Sequence, residues 1–236
     1  MKVAIMQPYL FPYLGYWQLI KSVDTFVILD DVNFIKSGYI NRNNILVNNQ
    51  SHMFTIPVDK PSQNKLIMDT KFKLSGKIKE KLLRMIYLSY KKAKCFEDVY
   101  GMLEDIILFD EDDLTTYIEH SLLEISEYLE VCTQFKRSSA INIGCNVKGE
   151  QRIIEKCKAI GANTYINPIG GVSLYSRERF LRENIELYFI QMEKNKIDYK
   201  QFDNDFIENL SIIDVLMFNK KSEILDMLDC YELIQN

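Results

Sequence analysis

Residues 6–16 read MQPYLFPYLGY, and this segment decides the fold of the chain. It follows an apolar run at residues 3–5 and precedes a helix-like run that begins at Trp17. A loop rich in proline and glycine between a first strand and a first helix is where α/β proteins bind nucleotides, because the helix N-terminus offers free backbone N–H groups to phosphate. The segment therefore predicts a ligand-binding loop in an α/β protein.

The composition predicts a soluble, cytoplasmic protein. Hydrophobic residues make up 47% of the 236 positions, and 29 basic against 33 acidic residues give a net charge of −4, which disfavours nucleic-acid binding. No apolar run approaches the ~20 residues of a membrane-spanning helix, and no signal peptide is apparent. The five cysteines lack a C-x-x-C pair, which is typical of reduced thiols. Two histidines, His52 and His120, are too few for a multi-histidine metal site.

Residues 2–30 predict a compact βαβ unit. Strands are expected over residues 2–6 and 25–30, with a helix over residues 15–22 between them. The second strand has no polar alternation, as expected for a parallel strand that is covered on both faces. A polar loop rich in Asn and Lys should follow through Ile45, and a third strand is expected over residues 52–58, stopped by Pro57 and Pro61.

Apolar residues at helical spacing then predict a central block of helices over residues 76–90, 96–108 and 114–129. The acidic run at residues 110–113 lies just before the third helix. We expect it to cap that helix and to favour its positive N-terminus; metal binding is the alternative.

Strands and helices alternate again after this block. Strands are predicted over residues 135–143, 164–167 and 185–191. Helices are predicted over residues 150–160 with Gly161 as the C-terminal cap, 176–183 opened by Ser176, 211–218 and 222–228. The chain should thus be one α/β domain with a mostly parallel, doubly wound sheet. Its parts would be a first αβ half (1–75), a helical insert (76–130) and a second αβ half with C-terminal helices (131–236).

The opening loop carries a second pattern. Tyr13, Gly15 and Tyr16 have the spacing of the H-x-G-H signature of class I synthetase-like nucleotidyltransferases, which have a Rossmann-like core. A tyrosine hydroxyl can donate a hydrogen bond to phosphate, but its pKa of about 10 keeps it uncharged at neutral pH. We therefore expect the geometry to persist without adenylyl transfer. The alternative is an aromatic loop that only packs over the sheet edge.

Asp30 and Asp31 follow the second predicted strand. Carboxylates at such a strand end hold ribose hydroxyls, bind Mg²⁺ or act as a general base. Lys36 and Arg42, with Asn43 beside them, are predicted ligands of phosphate and hydroxyl groups. A solvated turn would explain the same residues.

A second glycine loop follows the strand predicted at residues 164–167. It contains Asn167, Gly170, Gly171 and Tyr175, and paired glycines let a backbone approach a ligand closely. Loops from the two halves of a doubly wound sheet converge at the switch point. The two loops together therefore predict a ligand cleft.

These motifs resemble those of the WbqC-like family of bacterial proteins, over essentially the whole chain. The matching segments are MQPYLFPYLGYWQLI (6–20), DDVNFIK (30–36), INRNNI (40–45), SYKKA (89–93), YINPIGGVSLY (165–175) and LSIIDVL (210–216). One departure is Tyr39, where many members are expected to have tryptophan.

The resemblance implies an enzyme of O-antigen or other surface-polysaccharide biosynthesis. Such an enzyme would act on a nucleotide-linked amino sugar and join an amino acid such as glycine, or another acyl group, to the sugar amine. ATP and Mg²⁺ would be needed if the acyl group arrives unactivated. The assigned residues are a base (Asp30 or Asp31), a catalytic lysine (Lys36) and binding residues Gln7, Tyr9, Tyr13, Gly15, Tyr16, Arg42, Asn43, Asn167, Gly170, Gly171 and Tyr175.

Two other functions remain open on the sequence. One is a nucleotidyl- or glycosyltransferase that uses a nucleotide donor, and the other is a non-catalytic sugar-binding or assembly module. The sequence leaves the sugar, the acyl donor, the use of ATP, the role of the helical block and assembly as a homodimer undetermined.

Overall fold

The βαβ unit at the start of the chain is confirmed. In a computed structural model that describes residues 1–144, 147–203 and 205–235, it consists of β1 (Lys2–Met6), α1 (Leu14–Lys21) and β2 (Thr25–Ile28). β1 and β2 pair in parallel. Every residue of β2 is buried, as the unbroken apolar run predicts for a strand covered on both faces.

A hairpin follows where the sequence predicts a loop. β3 (Arg42–Val47) and β4 (Gln50–Thr55) pair antiparallel in a sheet of their own. The predicted loop through Ile45 is therefore wrong from Arg42 onward, and the strand predicted over residues 52–58 runs instead from Gln50 to Thr55. Asn48 and Asn49 have φ angles of 48° and 65°, which close a two-residue hairpin turn that asparagine tolerates.

The central helical block is confirmed as α2 (Gly76–Tyr90), α3 (Phe96–Leu108) and α4 (Leu114–Tyr128). Asp113 caps α4, because its carboxylate accepts hydrogen bonds from the backbone N–H and the hydroxyl of Thr116 at 2.8 and 2.7 Å. The capping role predicted for the acidic run is thus confirmed at Asp113.

For the remaining elements, most observed first and last residues lie within one residue of the predicted ones. They are β5 (Gln134–Arg137), α5 (Gly149–Ala159), β6 (Thr164–Pro168), α6 (Arg177–Arg182), β7 (Glu186–Met192), α7 (Ile212–Phe218), α8 (Lys221–Leu228) and β8 (Tyr231–Ile234). Gly161 has the positive φ, 73°, of a C-terminal cap, whereas the Ser176 side chain makes no capping hydrogen bond. The strand predicted over residues 135–143 is wrong beyond Arg137, where a 3-10 turn begins. β8 has no counterpart among the predicted elements.

Six strands form the main sheet in the order β5-β2-β1-β6-β7-β8. The first five are parallel, and β8 runs antiparallel to β7. If the six strands of this sheet are renumbered 1 to 6 in chain order, they lie in the order 3-2-1-4-5-6, which is typical of doubly wound nucleotide-binding sheets. The switch point lies between β1 and β6. The prediction of an α/β fold with a mostly parallel sheet is confirmed.

Helices cover both faces of the sheet. On one face Trp17 of α1, Leu216 of α7 and Leu228 of α8 share a core with the hairpin and the helical block. On the other face Ile154 of α5 and Phe180 of α6 form a separate core. The chain therefore leaves β1 and β6 toward opposite faces, which opens a crevice between the two loops.

Cys95, Cys132, Cys157 and Cys230 are free thiols, and Cys145 lies outside the described residues. Within the described ranges, no helix has the length and apolar character needed to cross a membrane.

Replacing Asp113 with alanine should lower the free energy of unfolding by about 1 kcal/mol, because the first turn of α4 loses its cap. Asp112→Ala is the matched control, since Asp112 makes an exposed ion pair with Lys71 that contributes little. Urea denaturation of both variants measures the difference. Equal losses would contradict the capping role.

Candidate functional site

The loops that follow β1 and β6 face each other across one cleft of about 460 Å³, here called the switch-point cleft. Tyr13 and Gly15 line it from the first loop and Gly170 from the second. Lys194, just after β7, and Asn209 also line this cleft. The expected meeting of the two loops is therefore observed.

A second cleft of about 350 Å³, here called the tyrosine cleft, adjoins the first. Tyr9, Pro12, Tyr13, Tyr39, Asn43 and Asn209 line it. Tyr13 and Asn209 border both clefts. The ring centroids of Tyr9 and Tyr39 lie 6.1 Å apart.

The opening loop is held by distant side chains. Asn43 of β3 donates hydrogen bonds from Nδ2 to the carbonyl oxygens of Leu10 and Phe11 at 3.0 and 2.7 Å. Ser211, the N-cap of α7, donates from Oγ to the same Phe11 oxygen at 2.8 Å. Phe11 is fully buried with φ of 45°, a left-handed conformation that an aromatic residue rarely adopts. Asn43 therefore positions the loop.

Tyr13 lies over the start of α1 because residue 15 is glycine. A Cβ atom at Gly15 would come within 2.6 Å of Cε2 of the Tyr13 ring. Tyr13 is also the N-cap of α1 and makes no side-chain capping bond. The helix start thus lacks a side-chain cap and can offer backbone N–H groups to an anion.

Lys194 contributes positive charge beside Tyr13. Burial raises the pKa of Tyr13, and the nearby Lys194 cation partly opposes that shift. Burial also raises the pKa of Tyr9. Both hydroxyls are therefore protonated at neutral pH and can donate hydrogen bonds. Lys194 forms an exposed ion pair with Glu208 at 2.6 Å.

Tyr16 and Gln7 stabilise the opening loop from within the protein. The Tyr16 hydroxyl donates a 2.8 Å hydrogen bond to the Gln7 carbonyl oxygen, and the Tyr16 side chain is 2% exposed. The Tyr16 hydroxyl therefore points into the protein and not into either cleft.

The second loop is built around a buried amide. Asn167 accepts a hydrogen bond from Tyr165 at 3.0 Å, and a Cβ at Gly171 would lie 1.9 Å from Asn167 Nδ2. Tyr175 packs edge-on against Tyr165 with centroids 5.6 Å apart. Asn167, Gly171 and Tyr175 thus shape the loop, whereas Gly170 is exposed at the cleft.

Asp30 does not line either cleft. Its side chain is 1% exposed, and its carboxylate oxygens accept hydrogen bonds from the backbone N–H and the hydroxyl of Ser139 at 2.8 and 2.6 Å. These contacts join the end of β2 to the turn after β5.

Asp31 belongs to a partly buried ion cluster. Its carboxylate accepts from Ser138 at 2.6 Å and pairs with Arg152 at 2.6 Å and Lys156 at 2.9 Å. Burial raises the pKa of Asp31, but these hydrogen bonds and the two cations outweigh it, so the pKa lies below the usual 3.8. A carboxylate with a lowered pKa is a weak base.

The other polar residues predicted for the site lie apart from the clefts. Lys36 is exposed, and Arg42 donates from Nε to the Gly38 carbonyl oxygen at 3.0 Å and also to Ser37. Arg42 therefore orders the segment that carries Tyr39. His52 is exposed on β4, and His120 stacks on Phe109 within the helical block.

Sequence reasoning missed Lys194, Glu208 and Asn209. One signal was present, since Lys194 follows β7, whose carboxyl end lies beside that of β6 in a parallel sheet. Asn209 has φ of 59°, a turn conformation that the sequence alone does not specify. No group of three or more His, Cys, Asp or Glu side chains able to hold a metal occurs among the described residues.

Comparison with known proteins gives one family. The model of the WbqC-like protein family matches residues 7–225. A protein of Mycobacterium tuberculosis (strain ATCC 25618 / H37Rv) named Uncharacterized protein Rv1507c is 27% identical over 96% of this chain and 97% of its own length. No solved structure matches significantly.

Gly15→Ala should displace the Tyr13 ring while the fold persists, because the clash is with the movable end of a side chain. The near-ultraviolet circular dichroism of the tyrosines should change, and the free energy of unfolding should shift by no more than about 1 kcal/mol. Gly101→Ala is the control, since a Cβ there meets nothing within 4 Å. An unchanged tyrosine spectrum would refute the contact.

Asp31→Asn should lower the free energy of unfolding at pH 7 by about 3 kcal/mol, because it leaves the Lys156 ammonium without its carboxylate. The folded pKa of Asp31 is depressed, so its stabilisation is present above pH 3.8 and is lost as pH falls through the folded pKa. The difference in the free energy of unfolding between wild type and variant should therefore disappear at acidic pH. Asp203→Asn, at a side chain 98% exposed, should show no such difference in denaturant titrations.

Proposed function

We propose that this chain, which belongs to the WbqC-like protein family, binds a nucleotide-linked amino sugar and transfers an acyl or aminoacyl group such as glycyl to its amine. The pathway would be bacterial surface-polysaccharide (O-antigen) biosynthesis. The observation that carries the proposal is the position of Tyr13. Tyr13 borders the switch-point cleft, where the N-terminus of α1 and Lys194 lie, and it also borders the tyrosine cleft.

The switch-point cleft would hold the phosphates. This cleft offers hydrogen-bond donors from the uncapped start of α1 and from the exposed backbone at Gly170. It also has the positive charge of the Lys194 ammonium. These groups suit a diphosphate. Glu208 is the present partner of Lys194, and their exposed pairing contributes little, so a phosphate can replace it at small cost.

The tyrosine cleft would hold the sugar or the nucleobase. The rings of Tyr9 and Tyr39 form its walls, and stacking of a base on an aromatic ring contributes about 1–3 kcal/mol. The protonated hydroxyls of Tyr9 and Tyr13 would donate hydrogen bonds to ligand oxygens.

The transfer itself needs a base. The sugar amine would form a bond to the acyl carbon, the acyl group would leave its carrier, and the amine proton would pass to a carboxylate. Glu208 lines a third recess, next to the two clefts, to which Tyr13 and Lys194 also contribute, whereas Asp30 and Asp31 line neither this recess nor either cleft. We therefore assign the base to Glu208. The Tyr13 hydroxyl would stabilise the oxyanion.

Activation of a free acid would require ATP, whose Mg²⁺ would be held largely by the phosphates. The synthetase-like spacing of the opening loop supports phosphate binding at Tyr13. It gives no such support at Tyr16, whose hydroxyl is buried.

Calorimetric titration with nucleoside diphosphate sugars should detect binding that Tyr13→Phe weakens about two- to tenfold, the effect of one hydrogen bond. Tyr188→Phe is the matched control, because its hydroxyl bonds Glu186 at the surface. Absence of binding by every sugar nucleotide would refute the proposal.

Mass spectrometry of the bound sugar with acyl donors, or with ATP and amino acids, tests the reaction. A mass increase equal to one acyl group, lost in Glu208→Gln with binding kept, is the expected result. Release of pyrophosphate or a nucleoside diphosphate would instead indicate nucleotidyl or glycosyl transfer. Binding without product under every donor would indicate a sugar-binding module.

A further inference from the structure

Helix α2 carries a row of basic side chains on its outer face. Lys77, Lys81, Arg84, Leu88 and Lys91 follow one another at spacings of four, three, four and three residues, which places them on one side of a helix. All five residues are exposed. We call this row, together with the adjacent Lys92, the basic stripe.

The basic stripe borders a groove of about 640 Å³ between α2 and the turn of the β3–β4 hairpin. Lys81, Arg84, Lys91 and Lys92 line the groove, together with the hairpin turn at Asn48–Asn49. No acidic side chain is among the described residues that line it. The groove lining therefore carries four cations and no carboxylate from the described residues, in a protein whose net charge is −4.

Neighbouring lysines that do not belong to the stripe have partners. Lys79 is buried and donates to the carbonyl oxygens of Leu108 and Phe109 at 3.1 and 2.7 Å. Lys94 pairs with Glu223 at 3.0 Å. In contrast, none of the stripe cations forms an ion pair within the part of the chain that the structure describes. Lys79 and Lys94 therefore have partners within the fold, whereas the stripe cations are exposed, with a cation–π contact of Lys91 to the Tyr87 ring at 5.7 Å.

We propose that the basic stripe docks the protein on a membrane surface that carries anionic phospholipid headgroups. Clusters of four to eight Lys and Arg residues on a helix are typical of such binding. The row extends along a helix about 22 Å long, which fits an extended array of negative charges better than a single phosphate.

Leu88 favours a bilayer over a nucleic acid. Its side chain is 57% exposed in the middle of the stripe, between Arg84 and Lys91. An apolar side chain among cations can enter the boundary between headgroups and acyl chains. Leu88 itself cannot stack on bases, and the ring of the neighbouring Tyr87 is already engaged, because it packs edge-on against Phe96 and Tyr100 and lies under the Lys91 ammonium. This proposal is independent of ligand binding at Tyr13.

Flotation of the full chain with vesicles of equal parts phosphatidylcholine and phosphatidylglycerol tests the proposal. We expect binding that pure phosphatidylcholine vesicles do not support and that rising salt weakens. Arg84→Glu combined with Lys91→Glu should lower the partition coefficient about 30-fold or more. The matched control is Lys136→Glu with Lys60→Glu, which makes the same charge change at exposed positions that do not line the groove.

A second pair of variants separates the apolar contribution. Leu88→Ser should weaken flotation several-fold, whereas Leu174→Ser, at a side chain 66% exposed in the second loop, should not. Thermal unfolding of each variant checks that the fold is kept. The proposal fails if the protein does not float, if neutral vesicles bind equally, or if stripe and control variants behave alike. Binding of RNA or tripolyphosphate without any flotation would also overturn it.

Discussion

The Phe11 carbonyl oxygen, which accepts hydrogen bonds from Asn43 and Ser211, is the contact on which the site depends. It joins the opening loop to the hairpin and to α7, two elements far away in sequence. The left-handed backbone at Phe11 costs about 1–2 kcal/mol, and burial of its ring together with these hydrogen bonds offsets that cost. Because the loop is fixed in this conformation, Tyr13 is held at the boundary of both clefts.

A buried carboxylate extends this connection. Asp214, on α7, accepts hydrogen bonds from the hydroxyls of Tyr90 and Tyr199 and from the Gln201 amide, at 2.7–2.8 Å. Burial raises the pKa of Asp214, although the three donors act in the opposite direction. The Tyr90 hydroxyl also accepts a hydrogen bond from the Leu46 backbone N–H. The last residue of α2, the hairpin and α7 are thereby fixed to one another.

Periodicity was enough to predict most of the fold. The unbroken apolar runs of β1 and β2 and the helical spacing in α2, α3 and α4 depend on local patterns, so their bounds could be predicted closely. The prediction of a loop where β3 lies was wrong because Arg42, Asn43 and Asn44 are polar. In addition, the turn at Asn48 and Asn49 was not recognised. β8 is a short edge strand of four residues, whose pairing with β7 is a tertiary contact.

The candidate site was harder to predict because residue type does not reveal contact partners. The sequence reading assigned Gly15 and Gly171 to a ligand, yet each is required by a side chain of this chain, the Tyr13 ring and the Asn167 amide. Asp30 and Asp31 look catalytic at a strand end, but Ser139 and the cations Arg152 and Lys156 already occupy their oxygens. These pairings leave the face of Tyr13 and the backbone at Gly170 open to a ligand, and the Lys194 ammonium is held only by an exposed ion pair with Glu208. A patterned loop thus points to a candidate site, and the intramolecular hydrogen bonds decide which of its groups are free to bind.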